Sequence, residues 1–409
     1  MSAAAASPGI THEEFRGRRE RLLASLGGAV GLVLAGEADP SLHHPWHPHA
    51  HFEYLTGIVD EPGAMLLLEP GNPVPAKRAT LLLRPLNPEV EKWDGFRDEL
   101  GSALRARTGF ETVVRTGMLP RLLLEAARRS RLLACLMPLA PWGAPVSGDL
   151  AILRAQAERV PGTQVTDQSD LLLRMRAAKS PAEVACIREA GRVTALGFAA
   201  AMRCMRPGMN EFDVQEAVEH AYRTGGSRRL AFRTIAGSGL NATVLHYHAN
   251  DRPLHDGELV VLDSGAKHAG YSADVTRTLP VSGRFSPRQR ELYDVVLRAQ
   301  AAAIAAVRPG ATLASIDAAG RKVIADAGLG DAFIHGMGHH LGLETHDATP
   351  LGALEPGSVI TIEPGVYLPA ERIGIRIEDG VAVTETGHEV LTPGIPRTVA
   401  EVERAMAGK

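Results

Sequence analysis

The stretch HGMGHHLGLETHD, residues 335–347, sets four histidines, a glutamate and an aspartate among glycines. Such side chains can ligate a metal or move protons. His335 and His339 stand four apart, as in the helical HExxH zinc motif. Here, however, Gly336 fills the glutamate position, and Gly336 and Gly338 disfavour a helix. His339 is therefore expected on a loop or irregular strand, placed as a ligand. Carboxylates that could share a cation with it lie elsewhere. In GELVVLDSGAKHAGYSADVTRTLPV (257–281), apolar runs flank a glycine-bearing turn, the pattern of a β-hairpin. Asp263 and Asp274 are symmetric about the midpoint between His268 and Ala269. A hairpin closing there sets them directly opposite each other, with Cβ atoms about 5 Å apart. Like charges at that separation destabilise the pair unless a proton or cation is shared. Downstream, GSVITIEPGVYL (357–368) ends an apolar strand at Glu363, and IGIRIEDGVAVTE (373–385) carries Arg376 and Glu378 on an alternating strand. Glu363 and Glu378 form a second candidate pair across strands.

Asp263, Asp274, Glu363 and Glu378 with His339 make a hard, oxygen-rich donor set. It suits two divalent ions such as Mn2+ better than a tetrahedral structural zinc. Bridging carboxylates would hold such ions roughly 3.5–4 Å apart. Arg376 lies two residues before Glu378, on the same strand face, where it is expected to hold a carboxylate ligand in place.

The elements that must position these residues can be read from the rest of the 409-residue chain. A length of this order implies two or three domains, or one large domain with an appendage. Hydrophobic residues at 45% and charged residues at 22% are ordinary for a globular protein with a sizeable core. A net charge of −3 gives no electrostatic footprint for nucleic acid. No apolar run reaches the roughly 18 residues of a membrane span. The N-terminal MSAAAASPGITHEEFRGRRERLL lacks the apolar centre of a signal peptide. Three widely spaced cysteines, Cys135, Cys186 and Cys204, are expected as reduced core thiols in the cytoplasm. Strands are expected at 29–38, 63–71 and 79–85 and a helix over 119–136, making an α/β N-terminal domain, residues 1–170. Helices then start at Pro181, behind the cap Ser180 with Glu183, and after Asn210. Helix pairs alternate with strand groups twice through the second domain, residues 171–409. The histidine-rich HHPWHPHAHF (43–52) is expected as a proline-directed loop.

The ordered set VLDSG…YSADVTRT, HGMGHHLGLETHD, ITIEPGVY and GIRIEDG resembles the pita-bread metallopeptidases, which include aminopeptidase P, prolidase, methionine aminopeptidase and creatinase-like relatives. The resemblance implies an α+β catalytic domain with a curved antiparallel sheet flanked by helices, and a dinuclear centre at Asp263, Asp274, His339, Glu363 and Glu378. Within it, Asp274 and Glu378 would bridge, Asp263 would complete one site, and His339 with Glu363 the other. The aminopeptidase P branch is the most similar. Its resemblance places His246, His335 and His346 as active-site histidines, and Trp93 as a tryptophan reaching a neighbouring subunit in a homodimer or homotetramer. The implied activity is release of an N-terminal residue from peptides with proline second, Glu363 acting as proton carrier and His346 as oxyanion donor. Prolidase, confined to Xaa-Pro dipeptides, is the alternative. An amidinohydrolase or a non-catalytic relative would have lost metal ligands that this sequence keeps.

Overall fold

The computed structural model of the chain describes residues 9–38 and 46–407. The chain divides into two compact units, Met1–Arg176 and Ala177–Lys409. The division falls later than residue 170 because the helix Asp170–Ala177 bonds back into the first unit. Tyr54 OH donates to Met175 O at 2.8 Å, and the Arg176 guanidinium meets His51 Nδ1 at 2.9 Å.

The first unit is built on a six-stranded mixed sheet: β1 (Val30–Leu34), β2 (Met65–Leu68), β3 (Ala79–Leu83), β4 (Thr112–Arg115), β5 (Leu132–Cys135) and β6 (Gln164–Asp167), in the order β4-β3-β2-β1-β5-β6. The runs VGLVL, MLLL and ATLLL make strands because nearly all their side chains are buried. Helices Leu119–Ser130 and Gly148–Arg159 pack on the sheet through Leu123, Ala126, Ala127 and Leu153. The apolar run 119–136 is not one helix. Arg131 takes a left-handed φ of 59°, the helix ends, and LLAC enters the sheet as β5. Sheet burial outweighs helix periodicity there. In the histidine-rich stretch, residues 43–45 lie outside the described residues. The expected loop gives way earlier than anticipated to the buried helix Ala50–Thr56, capped by His49.

In the second unit, helix Pro181–Cys204 opens with a reciprocal capping box between Ser180 and Glu183, with Pro181 in its first turn. Helix Glu211–Thr224 opens behind Asn210 and closes at Gly225. Helices Pro287–Ala306 and Leu313–Asp326 form a second pair. Each pair is followed by a hairpin system. The first contains β7 (Ile235–Ser238), β8 (Leu259–Ser264), β9 (Lys267–His268), β10 (Tyr271–Ser272) and β11 (Val275–Pro280). The second contains β12 (Val359–Ile362), β13 (Gly365–Leu368), β14 (Ile373–Arg376), β15 (Asp379–Val383) and β16 (His388–Val390).

The first hairpin closes one residue later than its sequence symmetry suggests. His268 faces Tyr271, and Asp263 faces Thr276. The turn residues Ala269 and Gly270 both have positive φ, 50° and 85°, the conformation of a tight two-residue turn whose twist matches the strands. Asp274 therefore shares a face with Asp263 but lies diagonal to it instead of directly opposite. In the second hairpin, Ile362 faces Asp379 and Gly365 faces Arg376. The same register carried between them sets Glu363 across from Glu378.

Backbone and side-chain bonds fuse the two hairpins. Glu378 N donates to Thr276 O at 3.0 Å, while Thr278 Oγ1 accepts from Arg376 N and donates to Arg376 O, each at 3.0 Å. Arg277, turned the other way, forms a buried ion pair with Asp379 at 2.8 Å and donates to Glu378 O at 2.6 Å. Among the described residues no helix is long and apolar enough to cross a membrane.

Ala269 carries a conformation that costs an L-residue with a Cβ roughly 1–2 kcal/mol, a cost asparagine lessens. Ala269→Asn is expected to raise unfolding free energy by about 0.5–1 kcal/mol, measured by chemical denaturation.

Candidate metal centre

The two hairpins and the histidine segment meet because residues 337–341 run along β12 as an added edge. Glu363 N donates to Met337 O at 2.8 Å, Thr361 N to His339 O at 2.8 Å, and Leu341 N to Val359 O at 2.9 Å. The approach explains Gly338: a Cβ there would overlap Thr361 O. The segment is thus extended, not helical, and the four-residue spacing of His335 and His339 has no helical meaning.

A cavity of about 480 Å3 opens on this surface. All nine residues singled out from the sequence line it: Asp263, Asp274, His339, Glu363 and Glu378, with His246, His335, His346 and Arg376. Ligating atoms of Asp274, His339 and Glu378 lie within 4.8 Å of one another. His339 Nε2 is 3.6 Å from Asp274 Oδ2 and 3.5 Å from Glu363 Oε1. His339 Nδ1–H donates to His340 O at 3.0 Å, so the lone pair sits on Nε2, facing the carboxylates. Burial pushes the His339 pKa down to about 4, which keeps the ring neutral and able to ligate.

The carboxylates move the other way. Burial, then repulsion from neighbouring carboxylates (Glu378 first for Asp274, Glu363 first for Glu378), holds Asp274 and Glu378 well above the usual carboxylate range. Burial also pushes Glu363 up to about 7. Among the described residues lining the cavity, four carboxylates face one fixed cation, Arg376. Asp263 Oδ2 is held by Arg376 at 2.7 Å, whereas Asp263 Oδ1 is buried with no hydrogen-bond partner. An orphaned buried oxygen, a neutral imidazole lone pair and surplus negative charge fit divalent cations.

Arg376 organises the floor of the cavity. As expected it holds a carboxylate ligand in place, and that ligand is not Glu378, its neighbour two residues on. Its guanidinium instead binds Asp263 directly and reaches Glu378 through a hydroxyl: Arg376 Nε donates to Thr276 Oγ1 at 3.1 Å, which donates to Glu378 Oε2 at 2.6 Å. Its third nitrogen donates to Tyr367 OH at 3.0 Å, and that hydroxyl meets His335 Nε2 at 2.9 Å. His335 Nδ1–H donates to Gly336 O at 2.8 Å, leaving Nε2 to accept from the phenol. Burial lowers the His335 pKa to about 4. His346 stacks on His339 with ring centroids 3.9 Å apart, and desolvation together with His246 lowers its pKa too. His246 also lines the cavity, its ring centroid 6.4 Å from that of His248.

Thr276, Tyr367 and His248 are site residues that sequence reasoning did not single out. The first two were within reach of strand alternation, since Thr276 shares a face with Asp274 and Tyr367 with Glu363. Trp93 belongs to the first unit, on helix Pro88–Asp94, and is 88% exposed.

Comparison with known proteins gives matches along the chain. Residues 185–385 match the model of metallopeptidase family M24, and residues 15–158 that of the aminopeptidase P N-terminal domain. An Xaa-Pro aminopeptidase of Haemophilus influenzae is 34% identical over 97% of this chain and 98% of its own length. The solved Pseudomonas aeruginosa aminopeptidase PepP superposes with a TM-score of 0.88 at 31% identity, covering 98% of both chains. An Xaa-Pro dipeptidase of Pyrococcus furiosus is 38% identical over 54% of this chain and 65% of its own.

The charge balance predicts a pH signature in protein stripped of divalent cations. Unfolded carboxyls titrate near 4, so the folded state binds more protons than the unfolded chain up to the raised folded values. Stability is then lost as pH rises through those values. The depressed histidines oppose this only below about 6.5, their unfolded pKa. The thermal midpoint of stripped protein should fall between about pH 6.5 and 8.5, and Glu363→Gln should flatten that slope.

Proposed function

The chain belongs to metallopeptidase family M24, and we propose that it is an Xaa-Pro aminopeptidase, a hydrolase releasing the first residue from peptides whose second residue is proline. The observation that carries this reading is the convergence of four carboxylates, and of one imidazole lone pair facing them, on a single cavity. Support for the branch comes from the full-length likeness to Xaa-Pro aminopeptidases, against a dipeptidase match over about half the chain.

In this reading Asp263, Asp274, His339, Glu363 and Glu378 hold two divalent ions, Mn2+ by preference for an oxygen-rich set. Those ions, when bound, supply Lewis acidity to a carbonyl and bring the pKa of water toward neutrality. The protein's own groups supply the rest. Glu363 accepts the proton of the attacking water and returns it to the departing proline nitrogen. His346, at the cavity rim, donates to the oxygen on which negative charge develops. His246 and His335 orient the residues around the scissile bond, His335 held in one tautomer by Tyr367 and Gly336. Arg376 holds Asp263 directly and Glu378 through Thr276, fixing both side chains in place. An Xaa-Pro bond is a tertiary amide without N–H, so a site that acts on the carbonyl and clasps the ring needs no amide donor from its substrate.

The exposed Trp93 and Phe96, 88% and 96% accessible, support a homodimer or homotetramer in which this surface meets another copy. Cysteine usage supports a cytoplasmic location.

Two outcomes test the reading. Metal-stripped protein refilled with one ion at a time should cleave Xaa-Pro-Yaa tripeptides, with Mn2+ among the most effective ions, and should spare Xaa-Ala-Yaa. Turnover of Xaa-Pro dipeptides alone would transfer the assignment to prolidase. His346→Ala should lower kcat about 10²–10³-fold with the bound metal content unchanged, read by steady-state kinetics and elemental analysis.

A further inference from the structure

Behind the cavity lies a buried ion pair that does not line it. Lys179 Nζ and Asp347 Oδ2 are 3.0 Å apart, and the two side chains are 1% and 2% exposed. Lys179 stands just before the cap of helix Pro181–Cys204. Its own N–H donates to Gly357 O at 2.8 Å, which ties it to the entry of β12, and its Nζ also donates to Ala177 O at 3.2 Å. Asp347 ends the histidine segment. Its N–H donates to His340 O at 2.9 Å, and its Oδ1 accepts from Glu344 N at 3.3 Å.

The carbonyl of His340 is the meeting point. It accepts from Asp347 N and also from His339 Nδ1, the bond that turns the other ring nitrogen toward Asp274 and Glu363. The loop is closely fitted around the pair. A Cβ at Gly342 would overlap Asp347 Oδ2 and press on Lys179 Cε.

A buried ion pair is a poor source of net stability, because desolvation offsets most of the attraction. What it does well is fix two backbone segments in one register. We propose that the Lys179–Asp347 pair is a positioning device for the His339 ring. It holds the His340 carbonyl where it fixes the tautomer and plane of His339, and so acts on the cation site through the loop. Neither residue lines the cavity. The inference rests on the metal-centre reading above.

The test uses metal-stripped full-length protein titrated with cobalt(II), whose visible absorption reports ligation, alongside thermal melts. Lys179→Met and Asp347→Asn, singly, are each expected to weaken cobalt binding about tenfold to a hundredfold and to lower the melting temperature, since each strands a buried charge. The double variant Lys179→Met with Asp347→Asn strands no charge. Its melting temperature should return toward the wild-type value while cobalt binding stays at least about tenfold weaker. It also keeps the test valid if the single variants fail to fold. Wild-type cobalt affinity in the double variant would overturn the inference and leave the metal centre standing. A wild-type protein that takes up no cobalt would overturn the metal-centre reading and this inference with it.

Discussion

Mutual repulsion among buried carboxylates is the constraint that shapes the second unit. Asp263, Asp274 and Glu378 are all under a tenth exposed, and Glu363 faces the same cavity. No hydrophobic gain comes from placing them there, and burial, then the neighbouring carboxylates, raise the pKa of Asp274 and Glu378. The fold can hold such a cluster only because its backbone is secured independently. Glu378 N is bonded to Thr276 O, and on the far side of the same strands Arg277 and Asp379 form a second buried pair. Repulsion of this kind is relieved by a shared proton or a cation.

Arg376 shows how one cation can serve several anions without neutralising the site. Its planar fork reaches Asp263, Thr276 and Tyr367 in different directions. A lysine ammonium, a compact point charge, could not keep three fixed directions. The consequence is an ordered set of donors. Protons point from Arg376 toward Asp263, through Thr276 toward Glu378, and through Tyr367 toward His335. Asp263, so held by one oxygen, keeps its Oδ1 buried without a hydrogen-bond partner.

How much could be read in advance differed by element. The helix at Pro181 was legible because a cap, a first-turn proline and a reciprocal glutamate are local features that act within four residues. The shared face of Asp263 and Asp274 was legible because side chains alternate with period two. Their exact pairing was not, since Ala269 takes a positive φ that nothing in an alanine announces. The helix drawn over 119–136 failed for a related reason: LLAC suits a helix or a strand, and only the neighbouring β1 and β6 choose between them. The early start of the helix at Ala50 was likewise hidden behind the prolines that precede it.

By itself the sequence determined which chemistry the chain can do. Four carboxylates, a set of histidines and one arginine, each on an element with its own local signature, already implied an oxygen-rich cation site, because residue type and alternation are properties of short segments. The tertiary structure alone decided how those groups address one another: that Arg376 grips Asp263 and not its near neighbour Glu378, that Thr276 and Tyr367 carry its bonds onward, and that Lys179 reaches Asp347 across 168 positions (347 − 179). Such contacts depend on the packing of strands from distant parts of the chain, and no local preference of either partner encodes them.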